Sequence, residues 1–218
     1  MGLIMRSSWL LILFLCLPVI SQAMPSDDPV SFSKAELASI KKQYGSIPLN
    51  RIADYNRKIK SLQPLASGQK LTGINNYLNK LIPAYDMERL QREDYWLTPK
   101  EFLTLGTGDC EDYVIIKYYS LIKLGFDKSR LFFAVVRDKY SGGYHMVLLY
   151  EEEEGQSPLV LDNLSFRIMP LKARNDLVLK DFFNSAGRYK YVNGYQKKPF
   201  GSNYAQFIKL QKRVAAGF

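Results

Sequence analysis

Cysteine and histidine are the scarce residues in this chain: two of the one and a single copy of the other among 218 positions. Cys16 falls inside an N-terminal apolar run, Trp9 to Ile20. Arg6 precedes that run, and Ser21-Gln22-Ala23 follows it with small residues at the two positions a signal peptidase reads. The pattern predicts a secretory signal peptide over residues 1–23, cleaved after Ala23. The run is shorter than the roughly 20 apolar residues a spanning helix needs, and Leu15 stands where a lipoprotein signal wants a small residue. The mature chain, read as one domain over residues 24–218, then keeps Cys110 as its only thiol. One cysteine excludes an internal disulfide. A free thiol outside the cytoplasm is open to oxidation, so it is either buried and inert or kept for its reactivity.

Other absences narrow the class further. No later segment is long and apolar enough to span a membrane, so the mature protein is expected to be soluble and exported, periplasmic in a bacterial source. The formal net charge is +9, yet the basic residues are scattered, as in Lys41-Lys42, Lys197-Lys198 and Lys212-Arg213. No arginine-rich stripe with interleaved aromatics exists, which argues against a nucleic-acid partner. An acidic protein partner or a solvated basic surface accounts for the charge. There is no internal repeat and no low-complexity tract. What is plentiful is apolar mass: 47% hydrophobic and 13% aromatic residues, enough for a sizeable core.

Along the chain, residues 24–32 read as a flexible leader. Ser33 with Glu36 forms a capping box that opens a helix ending near Gly45. Arg51–Leu62 and Leu71–Ile82 read as two more helices, each followed by proline. Thr98, Pro99 and Glu101 open a short fourth one, which runs into the tight loop Gly106-Thr107-Gly108-Asp109. From Cys110 to Leu124 one apolar stripe of Val114, Ile115, Tyr118, Leu121 and Ile122 predicts a helix. The period then changes to that of strands: Leu131–Val136, Tyr144–Tyr150, a third from Leu159, and edges at Phe166–Met169 and Tyr189–Val192. Tyr204–Val214 reads as a final helix. The class is α+β, with helices first, a central helix starting at Cys110, and an antiparallel sheet behind it.

Thiolate chemistry needs a depressed thiol pKa and a base. A helix N-terminus favours the anion, and Cys110 is placed at one. The single imidazole, His145, is the only side chain of its kind to take the proton. Such an imidazole needs a partner to orient it, and Asp162, ending the next strand, can share its face of the hairpin. Taken singly, a cysteine at a helix start often only packs, a lone histidine is often structural, and Asp-Asn after a strand is often a turn. Their order, with the only mature thiol and the only histidine involved, favours chemistry.

Four segments carry a resemblance: Asp94-Tyr95-Trp96-Leu97-Thr98-Pro99-Lys100-Glu101-Phe102-Leu103, Gly106-Thr107-Gly108-Asp109-Cys110-Glu111-Asp112-Tyr113, Tyr144-His145-Met146-Val147-Leu148 and Leu159-Val160-Leu161-Asp162-Asn163-Leu164. Together they closely resemble the bacterial transglutaminase-like cysteine proteases of the LapG type, over roughly residues 35 to 195. The resemblance implies a papain/transglutaminase-like fold with Cys110, His145 and Asp162 as nucleophile, base and orienter. It implies a large cell-surface adhesin as substrate, cut near its N-terminus and released, so that biofilm disperses. It implies sequestration by the periplasmic domain of an inner-membrane cyclic-di-GMP receptor. It also implies Ca²⁺ held by Asp109 and Glu111, with Asp112 a weaker candidate, and a place for Trp96 near the cleft. The same acids also suit a helix start without any metal, and Trp96 equally suits a core. Two other activities stay open: acyl transfer to an amine by the same three residues, and a non-enzymatic calcium-dependent binding module.

Overall fold

The computed structural model describes residues 28–84 and 94–217. The predicted signal peptide lies outside them. The expected leader does not hold where it is described. Val30 is fully buried, and the Asp28 carboxylate accepts from Val30 N, Ser31 Oγ and the Lys123 ammonium. Residues 28–32 are thus tied to the core rather than flexible.

Helix α1 is Lys34–Tyr44 and begins with the predicted capping box: Ser33 Oγ accepts from Glu36 N, and Glu36 Oε2 accepts from Ser33 N. Helix α2, Ile47–Leu62, starts ahead of Arg51 because Pro48 lies in its first turn, where a missing N–H costs nothing. Helix α3, Ser67–Leu78, is earlier at both ends than the spacing predicts. The residues beyond it, Ile82–Pro83, form a short strand β1 instead, paired in parallel with β2 at Thr107–Gly108. Helix α4, Pro99–Leu105, has the capping box built on Thr98 and Glu101, and α5 is Cys110–Lys123.

The strands are β3 Leu131–Asp138, β4 Tyr144–Tyr150, β5 Leu159–Asp162, β6 Ser165–Pro170, β7 Leu177–Asn184, β8 Gly187–Val192 and β9 Gln196–Pro199, and α6, Ala205–Ala215, closes the chain. They make one seven-stranded sheet in the order β6-β5-β4-β3-β7-β8-β9, with every pair antiparallel. The α+β class is as expected. Strand β7 was not expected, although it is the second neighbour of β3. Its register against β3 shifts between Val135 and Val136, a bulge that breaks the two-residue alternation a strand shows in sequence. Lys180-Asp181 interrupts its apolar residues, and Asp181 is buried only because Arg188 and Tyr204 satisfy it.

Two apolar layers result. One face of the sheet, through Phe133, Leu148, Leu161 and Phe183, packs on α5 and the other helices. The other face, through Phe132, Val136, Val147, Leu149 and Phe182, holds a smaller cluster. Trp96 belongs to the main core: it is 6% exposed and stacks on Phe183 at 6.3 Å. That is the core place the sequence equally allowed it.

Candidate active site

The loop before Cys110 is shaped by two glycines. Gly106 ends α4 in the left-handed region, φ 77°, and a β-carbon there would meet the Arg51 guanidinium at 2.1 Å. That guanidinium donates to Leu103 O at 2.9 Å and Thr104 O at 2.8 Å, capping α4. At Gly108 a β-carbon would strike the Asp112 side chain at 2.6 Å. The close approach lets Asp112, fully buried, accept from Leu97 N at 2.7 Å and from Asp109 N at 3.3 Å. Asp112 therefore brackets the segment before α4 to the start of α5, and Cys110 is set in the first turn.

Cys110 is a free thiol, partly buried. Its Sγ donates to Glu111 Oε2 at 3.2 Å. Burial pushes this thiol well up, and the Glu111 carboxylate pushes it further. The Met146 amide opposes that rise without overcoming it. The helix terminus alone would favour a thiolate, but these residues by themselves hold a protonated thiol. Glu111 is raised too, first by burial and then by the charge of Asp112.

At the far side, His145 Nε2 is 2.8 Å from Asp162 Oδ1. The ladder explains how they meet. The last β4–β5 pair is Leu148 with Leu161, so one step on, Asp162 shares the sheet face of Val147 and, two residues before it, of His145. With Nε2 on Asp162, Nδ1 is the ring nitrogen left for other work. Asp162 is 1% exposed. Its Oδ1 also accepts from Leu164 N at 3.0 Å, and its Oδ2 accepts from Arg174 Nη2 at 2.8 Å. Burial alone would raise this carboxyl, but His145, the Leu164 amide and Arg174 together hold it well below the usual range. A cavity of about 450 Å³ joins the two sides: Ala84, Asp109, Cys110, Tyr144, His145 and Leu164 are among its walls.

The model of the bacterial transglutaminase-like cysteine proteinases matches residues 53–181, a stretch that contains Cys110, His145 and Asp162. The chain belongs to this family. Its fold is similar to that of Legionella pneumophila LapG in a calcium-bound form, with a TM-score of 0.70 and 27% identity over 84% of this chain and 99% of that one. An EGTA-treated form of the same protein matches with a TM-score of 0.71 at the same identity, over 84% of this chain and 98% of that one. No match was found among curated proteins.

As a family member the chain is a transglutaminase-like cysteine peptidase. Its acids fit a hard cation in part. Asp109 and Glu111 flank the thiol, hydrogen-bond to one another, and concentrate negative charge where Glu111 is already driven upward. Oxygen donors of this kind suit Ca²⁺. Asp112 has both oxygens engaged by backbone amides. Among the described residues no three acidic, cysteine or histidine side chains are gathered as a ready metal site, so two carboxylates are what the chain itself offers.

Three supporting residues were missed in sequence. Arg174 is 6% exposed and bridges Asp162 and Asp176; nothing in the spacing around it signals this. Asn75 Nδ2 donates to Ser165 O at 2.9 Å, while Asn79 Nδ2 donates to Asp162 O at 2.8 Å and Ser165 O at 3.0 Å. That pair was legible: amides four apart on the buried stripe of Leu71, Ile74 and Leu78 need a polar partner across the interface.

Proposed function

We propose that this chain is a calcium-dependent periplasmic endopeptidase. Cys110 is the nucleophile, His145 the base and Asp162 the orienter, and a large surface adhesin is cut near its N-terminus and released from the cell. The observation that carries the reading is the His145–Asp162 hydrogen bond, whose imidazole lines the same cavity as Cys110, the one thiol of the mature chain.

The chemistry follows from those groups. Asp162 accepts from Nε2 and fixes the ring, leaving Nδ1 to take the Cys110 proton. Sulfur attacks the scissile carbonyl carbon, and the developing oxyanion is met by the Cys110 backbone N–H at the helix terminus. The imidazolium returns its proton to the leaving amine, a thioester remains, and water activated by the same imidazole hydrolyses it. Ca²⁺ on Asp109 and Glu111 would supply charge neutralisation beside the thiol. Glu111 so engaged would no longer draw the thiol proton, which would leave His145 as its acceptor. The similar Legionella pneumophila LapG is known in a calcium-bound and an EGTA-treated form, which supports calcium involvement. Regulation is read as capture of the peptidase by the periplasmic domain of an inner-membrane cyclic-di-GMP receptor.

The test is an adhesin N-terminal fragment incubated with the wild type and with Cys110→Ala, each in Ca²⁺ and in a calcium-selective chelator. Shorter fragments from the wild type in Ca²⁺ alone are expected. An intact fragment in every lane overturns the peptidase reading, and cross-linked ladders replace it with acyl transfer. Equal cleavage in chelator removes the metal from it. A pull-down with the receptor's periplasmic domain at micromolar concentration tests the partner.

A further inference from the structure

The C-terminal helix α6 lies beyond residues 53–181, the stretch that the family model matches, and the reading above gives it no part. Its packing is not that of a loose tail. Phe207 is buried against Phe133 and Phe183, with ring centroids 5.0 and 5.1 Å away. At the start of the helix the Tyr204 hydroxyl donates to the Asp181 carboxylate at 3.0 Å. The Arg188 guanidinium, bonded to both Asp181 oxygens, donates to the same hydroxyl at 2.8 Å. Strand β7 and α6 are thereby locked together.

The other end of α6 reaches the segment before α4. The Arg213 guanidinium donates to Glu101 Oε2 at 3.1 Å, to the Tyr95 hydroxyl and to the Trp96 carbonyl. It also lies over the Tyr95 ring, 4.5 Å from the centroid. Glu101 in turn accepts from the Tyr95 hydroxyl at 2.8 Å and from Thr98 N at 2.7 Å. From there the path to the thiol is short. Leu97 N donates to Asp112 Oδ1 at 2.7 Å, and Asp112 Oδ2 accepts from Asp109 N, the amide one residue before Cys110. Trp96 C=O and Leu97 N–H belong to one planar peptide unit. A guanidinium that fixes the carbonyl therefore also fixes the direction of the N–H that Asp112 accepts from. The planar fork of an arginine can serve carboxylate, hydroxyl and carbonyl together, which the point charge of a lysine cannot.

We propose that Arg213 is a positioning residue for the nucleophile: through the Trp96–Leu97 peptide and Asp112 it fixes the loop that presents the Cys110 thiol. The kinetic consequence rests on the triad reading, while the hold on the thiol is measured without any cleavage.

The experiment compares the wild type, Arg213→Met, Tyr95→Phe and, as a control on the same helix, exposed Lys209→Met. Each is taken at a temperature where it is fully folded. Iodoacetamide alkylation in chelator is followed on the Cys110 peptide by mass spectrometry, beside kcat and KM on an adhesin fragment in Ca²⁺. Burial raises this thiol, and a loop released from Asp112 lets water reach it. Arg213→Met is therefore expected to alkylate at least about threefold faster at about pH 8. Its kcat should fall about tenfold to a hundredfold with KM within about twofold, as for a misplaced reacting group. Tyr95→Phe removes one hydroxyl from the clasp and should move both quantities in the same direction by less; it decides the matter should Arg213→Met not fold. Lys209→Met should match the wild type. Alkylation equal to wild type in Arg213→Met and Tyr95→Phe, whatever kcat does, makes α6 a cover for the core and overturns the proposal, as does an equal change in Lys209→Met. If the wild type leaves the fragment whole, the peptidase reading falls, and alkylation still judges the clasp.

Discussion

The two banks of the cavity are built on opposite principles. On the sheet bank the imidazole and the carboxylate are paired. His145 has Asp162, and Asp162 has His145, Leu164 N and Arg174. The turn that follows Asp162 is pinned by two amides from α3. On the helix bank like charges crowd together: Asp109 and Glu111 flank a partly buried thiol, Asp112 lies beside them, and burial with the Glu111 charge keeps the thiol protonated. The carboxyl of Asp162 is driven down and that of Glu111 up. One bank is pre-organised; on the proposed reading the other stays short of its reactive state until Ca²⁺ offsets its acids. A thiol reactive only with such a cation bound would also be protected from oxidation the rest of the time.

The comparison breaks first at the nucleophile. Cys110→Ala should leave the melting temperature nearly unchanged and lower cleavage by several orders of magnitude; a tenth of wild-type turnover remaining would remove the helix bank from the chemistry. Asp162→Asn should follow, with a loss of up to ~10⁴-fold, since an amide can present Nδ2 to the ring and favour the wrong tautomer. Turnover equal to wild type would mean that Asn163, which also borders the cavity, orients His145. Arg174→Met strips the donor from Asp162 Oδ2 without touching the thiol. The expected cost is about 3 kcal/mol, low in the range for breaking a buried pair, because Arg174 borders a second, open cavity of about 520 Å³ beside His145. Calorimetry should show a melting temperature lower by roughly 6–12 °C, with turnover down about tenfold to a hundredfold through misplacement of the ring.

Much of this was legible in the chain, for physical reasons particular to each part. Both capping boxes, at Ser33 and Thr98, were read correctly because their chemistry is local to four residues. The stripe of α5 and the short apolar run of β4 after the Ser141-Gly142-Gly143 turn gave those elements to within a residue. The position of His145 and Asp162 on one face followed from hairpin parity alone. Strand β7 escaped because a bulge and the Lys180-Asp181 pair hide its alternation, and its burial is decided by Arg188 and Tyr204, residues that only the fold brings near. Arg174 escaped for the same reason: it meets Asp162 across the β5–β6 hairpin. Trp96 took the core place, one of the two that its position before a helix cap allowed. Lys117, on the helix that begins at Cys110, is wholly buried, which its side-chain type does not signal.

The smallest effect expected is also the sharpest on the contrast between the banks, because the two titrate stability with opposite sign. A carboxyl raised on folding adds stability that is complete below its unfolded value and is lost as pH climbs through the folded one. Glu111 is that case, raised above 4.5 by burial and Asp112. A carboxyl lowered on folding adds stability that is present above its unfolded value and is lost as pH falls. Asp162 is that case, held below 3.8 by its partners against the pull of burial. In chelator the wild type should therefore lose stability in two separate windows, one below about pH 4 from Asp162 and one rising from about pH 4.5 from Glu111. Glu111→Gln should flatten the upper window and leave the lower one as it was, while Asp162→Asn should do the reverse. Saturating Ca²⁺ should also abolish the upper loss, since a cation favours the ionised Glu111, and its stabilising effect should grow with pH across that window. The upper change is expected to be a small fall in melting temperature with rising pH, less than that of Arg174→Met. Melting curves at half-unit pH steps, with and without Ca²⁺, read it directly. An upper window that persists unchanged in Glu111→Gln, or that ignores Ca²⁺, would mean that the helix bank is not the charge-crowded half of the site.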